Sequence, residues 1–219
     1  MTGVMVESFV VGAFQENSYL VIDEATHRAV LIDPGGEGER IDAALRAHGA
    51  ELEAIWLTHA HVDHVAGVAA MKRLRDVPVH LHPLDRPLYD NAAQHGARLG
   101  IVVEPPPVPD HELADGDVLR VGSLAFDVMH APGHAPGHVV IHGHGVAFVG
   151  DCLFAGSVGR TDLPLSNGAH LARSLEIIAA LPAATVVYAG HGPATTIGRE
   201  RASNPFLNGV ARVPGAGRG

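Results

Sequence analysis

A single cysteine, Cys152, stands in a chain of 219 residues. One thiol excludes an intrachain disulfide, and with it a disulfide-stapled scaffold; it suits a reducing compartment. No apolar run reaches the roughly 18 residues that a membrane-spanning helix needs. The first residues, Met1 to Val11, carry Glu7 and lack a basic start followed by an apolar stretch, so no secretory leader is read and a cytoplasmic location is expected. Basic residues are outnumbered: the formal net charge is −9, and no basic stripe offers a footprint for nucleic acid or an anionic membrane. Charged residues make up only 18%, yet hydrophobic residues reach 47%, which argues against disorder and for a chain that buries a sizeable core. What the sequence has in excess is histidine, at 16 residues.

No internal repeat and no extended low-complexity segment interrupts the chain. Glycine and proline come in short bursts that punctuate many short elements. Residues 4–11, 18–22 and 29–33 read as strands. A helix follows Gly35-Gly36, with Ile41 and Leu45 on one face and Gly49 at its end. Residues 54–57 form a short apolar run, read as a buried strand, and 63–74 have helical character. Strand returns at 77–81, and 84–99 reads as a helix. Glu104-Pro105-Pro106-Pro107-Val108-Pro109 excludes regular structure and is read as a surface loop, not a domain boundary. Further strands are expected at 118–121, 124–129, 139–142, 146–149 and 185–189, with a helix at 170–181. This order predicts an α/β protein of two sheets with helices packed outside, in one domain over 1–212 with a flexible tail at 213–219.

The chemistry concentrates where strands end. After the run ending at Leu57 comes His59-Ala60-His61-Val62-Asp63-His64. Side chains alternate along extended backbone, so His59 and His61 face one way. The turn into the next helix then presents Asp63 and His64 in another direction, so one short segment offers two ligands to one ion and two to its neighbour. Imidazole with carboxylate suits zinc, and also iron and manganese. Three more polar residues share the setting of a strand terminus beside glycine: His134 in Ala131-Pro132-Gly133-His134-Ala135-Pro136-Gly137-His138, Asp151 after Val146-Ala147-Phe148-Val149-Gly150, and His191 between Gly190 and Gly192. Each alone would be an ordinary solvated turn residue. Together with the four-residue cluster they point to a metal site.

His59-Ala60-His61-Val62-Asp63-His64, followed in order by His134, Asp151 and His191, resembles the metallo-β-lactamase superfamily. Ala131-Pro132-Gly133-His134, Gly150-Asp151-Cys152-Leu153-Phe154 and Gly190-His191-Gly192 are similar to signatures of its glyoxalase II-like, or hydroxyacylglutathione hydrolase-like, branch. The resemblance spans nearly the whole chain. It implies an αββα sandwich of two mixed β-sheets with helices on the outer faces, and metals at the edge where the sheets meet. It assigns His59, His61 and His134 to one ion, Asp63, His64 and His191 to another, and Asp151 to a position between them. Two divalent ions are implied, zinc in the first instance, with iron or manganese accepted by the same donors. The implied reaction is hydrolysis of an S-lactoylglutathione-like thioester through a metal-bridging hydroxide, with Asp63 orienting the nucleophile and serving the leaving group. A small-molecule substrate in the form of a glutathione thioester is thus the expected partner.

The chain ends soon after Asn204-Pro205-Phe206, where full-length glyoxalase II enzymes continue into a helical region with basic contacts to glutathione; the resemblance is to the short form. A mono-iron persulfide dioxygenase is the alternative: such enzymes share much of the upstream motif and a stretch similar to Gly159-Arg160-Thr161-Asp162, but carry Ala-His-Asp at the last ligand, where this chain has Gly190-His191-Gly192. Lactonase or β-lactamase chemistry on the same core ranks lower. Arg160 either faces a substrate carboxylate or pairs with Asp162 to fix the loop; the pairing is favoured. His138 is read either as holding a ligand by hydrogen bond or as a plain strand residue. His80 and His82 lack a supporting cluster, and Cys152 is read as a buried thiol.

Overall fold

Alternation along the strands sorts the apolar side chains into separate layers. The computed structural model describes residues 3–217. Its first hairpin joins β1 (Val4–Val11) to β2 (Glu16–Asp23). In β2, Tyr19 and Val21 enter one buried cluster while Leu20 and Ile22 enter another. A strand buried on both faces must lie between two layers, and so it does here. The first sheet continues through β3 (Arg28–Ile32), β4 (Glu51–Trp56), β5 (Val79–Leu81) and β6 (His111–Glu112), in that spatial order. Its first three strands are antiparallel and its last three join in parallel.

The second sheet contains β7 (Val118–Val121), β8 (Leu124–His130), β9 (Val139–Gly143) and β10 (Val146–Gly150) as an antiparallel meander. A small hairpin of β11 (Leu153–Phe154) and β12 (Ser157–Val158) follows, outside both sheets. Then β13 (Val186–Ala189) pairs in parallel with β10, and β14 (Thr195–Thr196) closes the edge. Between the sheets lie Trp56 and Phe126, edge to face at 5.8 Å, with Tyr19 against Phe148 at 5.5 Å. Such aromatic pairs add about 0.5–1.5 kcal/mol beyond their area burial.

Helices cover the outer faces. On the first sheet, α1 (Gly38–Ala47) buries Ile41 and Leu45, and α2 (Val62–Val65) and α3 (Val68–Leu74) bury Val65, Val68 and Met71. On the second, α6 (Gly168–Ala179) buries Leu171, Leu175 and Ile178, with Ile197 of α7 (Ile197–Ser203) beside them. The Asn167 side chain caps α6, accepting from the amides of Ala169 and His170. The four-layer αββα arrangement expected from the sequence is present.

Some boundaries differ from expectation. The helix over 63–74 is broken between α2 and α3, because the Gly67 amide donates to Pro34 and a Cβ at Gly67 would stand only 2.7 Å from that carbonyl oxygen. Residues 84–99 are a 3₁₀ turn over Pro83–Asp85 followed by α4 (Arg86–Tyr89) and α5 (Ala92–Arg98). Pro87, near the start of α4, has no amide to extend the preceding turn. The expected flexible tail from 213 begins with a docked pair: Val213 is buried, and the Thr161 hydroxyl donates to Pro214. Residues 218 and 219 lie outside the described residues. No helix among those described is long and apolar enough to cross a membrane.

Candidate metal centre

Parallel neighbours deliver their chain ends to the same sheet edge, and two such pairs meet here. β3 and β4 are parallel and end at Asp33 and at Thr58-His59; β10 and β13 are parallel and end at Asp151 and at Gly190-His191. The loop between β8 and β9 adds His134. All seven residues proposed as ligands from the sequence come together at this edge.

They form two groups. Ligand atoms of His59, His61 and His134 lie within 4.8 Å of one another, as do those of Asp63, His64 and His191. His61 Nδ1 is 2.8 Å from His134 Nε2, and His191 Nε2 is 3.2 Å from Asp63 Oδ2. Asp151 stands between the groups. Its Oδ1 is 3.4 Å from His64 Nε2, and its Oδ2 is 3.4 Å from His134 Nε2 and 3.6 Å from His191 Nε2. Asp33, His59 and His64 also fall within reach of one point, but the oxygens of Asp33 are spent elsewhere.

Hydrogen bonds fix which ring nitrogen His59, His64, His134 and His191 offer. The Thr58 hydroxyl donates to Asp33 Oδ2 and therefore accepts from His59 Nδ1 at 3.1 Å, leaving Nε2 with a lone pair. His64 Nδ1 donates to Asp33 Oδ2 at 3.0 Å, His134 Nδ1 to the Arg160 carbonyl at 2.9 Å, and His191 Nδ1 to the Gln15 carbonyl at 3.3 Å. In each case Nε2 is turned inward. Metal-ligating histidines characteristically donate their other N–H to such an acceptor, which fixes the tautomer. His59 Nε2, His64 Nε2 and Asp151 Oδ1 are fully buried with no hydrogen-bond partner. Leaving such groups unpaired costs about 1–3 kcal/mol each, so the donor set fits a cation that would satisfy them.

Electrostatics agree. Burial pushes His59 well below the ordinary histidine range and His61 down to about 3, so both rings are neutral and their lone pairs available. At His64 burial works the same way, but the carboxylates of Asp151 and Asp63 outweigh it and raise its pKa. The hydrogen bond that His191 donates to the Asp63 carboxylate raises the His191 pKa. Asp151 is held low despite burial by His64 and its neighbours. The site thus sets carboxylates among imidazole nitrogens, a setting that suits a divalent cation.

Close backbone approach explains the glycines. A Cβ at Gly190 would stand 2.2 Å from Asp151 Oδ1 and 2.5 Å from His64. Gly150 adopts φ +45°, and its Cβ would meet Thr58 Oγ1 and His138 Nε2.

Three contributors escaped the sequence reading. Asp33 holds both Thr58 and His64; its sequence signal, a strand end followed by Pro34-Gly35, is the same as that of the ligands. Buried Asp85 accepts from the amides of Ala60 and Gly137, tying the two histidine-bearing loops together. Glu16 has Oε1 buried without a hydrogen bond, 3.7 Å from His64 Nδ1, and burial raises its pKa. His138, left open in the sequence, accepts from the Asp151 amide through Nε2 at 3.1 Å and faces Cys152 Sγ through Nδ1. Cys152 is fully buried and its thiol pKa is raised by burial. His80 lies against His111 and His82 stacks on His130, away from this edge.

The centre opens into a pocket of about 630 Å³. His61, Asp63, His134, Asp151 and His191 line its floor, and Phe14, Leu88, Leu99, Phe154 and Leu163 its walls. Arg160 borders it, but its guanidinium is paired with Asp162 through two bonds of 2.8 Å.

Fold and site together define a metal-dependent hydrolase. The family is the metallo-beta-lactamase superfamily: its model matches residues 11–191, and the chain belongs to it. Among relatives, the chain is 36% identical over 208 residues to hydroxyacylglutathione hydrolase GloC of Haemophilus influenzae, covering 93% of this chain and 98% of that one. Among solved structures, it is similar to TTHA1623 in a di-iron-bound form, with 45% identity, TM-score 0.85, and coverage of 92% and 100%. It is also similar to the B3 metallo-beta-lactamase BLEG-1, with 38% identity, TM-score 0.87, and coverage of 93% and 99%.

Proposed function

We propose that this chain is a thioesterase acting on S-lactoylglutathione-like thioesters. In this reading His59, His61 and His134 hold one divalent ion, Asp63, His64 and His191 hold a second, and Asp151 lies between them. The observation that carries it is the pair of buried, unpartnered Nε2 atoms of His59 and His64, each set by a hydrogen bond behind its ring, beside the unpartnered Oδ1 of Asp151. The likeness to the GloC hydrolase supports the substrate class. Zinc is the ion proposed, while the di-iron-bound relative and the donor chemistry keep iron and manganese as metals the same residues accept.

When bound, such ions would bring the pKa of water towards about 7 and polarise the carbonyl. The residues supply the rest. Asp63 places Oδ2 among the second group of donors, and its remaining oxygen is available to accept a hydrogen bond from an attacking water and to take up its proton. A thiolate leaves readily, since thiols are far more acidic than alcohols, so little proton donation is required of Asp63.

The test is a paired assay on purified protein of known metal content. Loss of the S-lactoylglutathione thioester is followed alongside oxygen uptake with glutathione persulfide. Thioester loss that falls more than about a hundredfold in Asp63→Ala and His134→Ala, with about two metals per chain in the parent, is expected. Oxygen uptake with one iron per chain and no thioester loss would replace this reading with the dioxygenase.

A further inference from the structure

The two guanidiniums bordering the pocket are not equivalent. Arg160 is neutralised by Asp162 in a two-pronged pair. Arg98 makes no ion pair among the described residues; its one side-chain hydrogen bond runs from Nη2 to the neutral Gln94 Oε1 at 3.3 Å. His95 lies three residues earlier on α5, hence on the same helix face, and lines the same pocket. Leu88 and Leu99 add apolar surface on that side. In a chain of net charge −9, an uncompensated cation at the wall of a reaction pocket is a place for an anion.

We propose that Arg98, with His95 beside it, anchors a carboxylate on the part of the substrate remote from the scissile carbonyl. The substrate class is then an acyl thioester whose thiol portion is itself a carboxylic acid. This rests on the thioesterase reading above and adds a specificity-determining residue to it. Arg98 also sits in the last turn of α5, where a cation suits the helix C-terminus. That role alone would affect stability and leave substrate affinity unchanged, so the two are separable.

The experiment compares the metal-loaded parent with Arg98→Gln and Arg160→Gln. Two substrates share the lactoyl group: S-lactoylglutathione, which bears carboxylates, and S-lactoyl-N-acetylcysteamine, which bears none. Arg98→Gln is expected to lower kcat/KM for the glutathione ester about tenfold or more through KM, as loss of a charged hydrogen bond would. The neutral ester should change less than about twofold. Calorimetric binding of S-methylglutathione, which needs no turnover, should weaken by a similar factor. Equal losses on both substrates, a lowered Tm with unchanged KM, or a loss of S-methylglutathione affinity in Arg160→Gln instead of Arg98→Gln would each overturn the proposal. If the parent hydrolyses neither ester, the thioesterase reading fails, and S-methylglutathione binding then decides the role of Arg98 by itself: dependence on Arg98 upholds the carboxylate anchor, and independence sinks it.

Discussion

Asp33 shows how much of a metal site is built by residues that bind no metal. One carboxylate accepts the Thr58 amide, the Thr58 hydroxyl and His64 Nδ1, at 2.7, 2.5 and 3.0 Å. Through Thr58 it also sets the tautomer of His59, so it acts on both groups of donors. Asp33→Ala is therefore expected to cut metal content and to lower activity about 10- to 100-fold, the usual cost of losing a ligand's support. Elemental analysis of the purified variant, with a thermal melt to confirm folding, checks this; a full metal complement with parental activity would refute it. At this scale the sequence was readable for the proposed ligands and less so for their supports. His59 to His64 form a dense motif, and His134, Asp151 and His191 repeat one setting. Asp85 and Glu16 carry no such local mark. They matter because chain segments far apart in sequence converge on them, and convergence is a property of the fold, not of a motif.

Elements explain why the site is held rigidly. The loop from β4 to α2 brings His59 and His61, and the loop from β8 to β9 brings His134 and His138. Asp85, in the short turn before α4, accepts an amide from each. Asp85→Ala would leave two buried N–H groups unpaired, at about 1–3 kcal/mol each. The expected outcome is a lower unfolding midpoint in urea together with weakened metal retention on dialysis against a chelator. A variant equal to the parent in both measurements would show that the two loops hold their places unaided. Strands were legible here because alternation and buried apolar runs leave a strong pattern, as in residues 4–11 and 146–149. The helices near residues 63–99 were less so, because Gly67 and Pro87 break apolar runs that read as continuous. The two-residue strands β6, β11, β12 and β14 are too short to leave any period at all.

Over the whole molecule, the excess of histidine has a consequence for stability separate from catalysis. His80 and His82 are each depressed to about 4, chiefly by burial and further by the neighbouring rings of His111 and His130. In the unfolded chain such groups titrate near about 6.5. Between those two values the unfolded state binds more protons, so stability is present above about pH 6.5 and is lost as pH falls towards 4. His82→Asn keeps an acceptor for the Leu84 amide and removes the titration. Relative to the parent it should gain on the order of 1 kcal/mol in going from pH 7 to 4.5, after discounting for solvent screening, or roughly 2–4 °C in Tm. A parent–variant difference in Tm that stays constant over that range would refute the assignment.

The first hairpin is also bound to the last proposed ligand. The Asn17 amide donates to Gly190, its side chain to Ala189 and Gly192, and the Tyr19 hydroxyl to Ala189, while Glu16 bridges to His191. Contacts spanning most of the chain form late, since loop-closure entropy must be overcome first. On a ribosome, His59 to His64 would emerge long before His191 could join them. A donor set that includes His191 is therefore complete only once residues 16–19 have met residues 189–192, so metal retention would report that this long-range contact has formed.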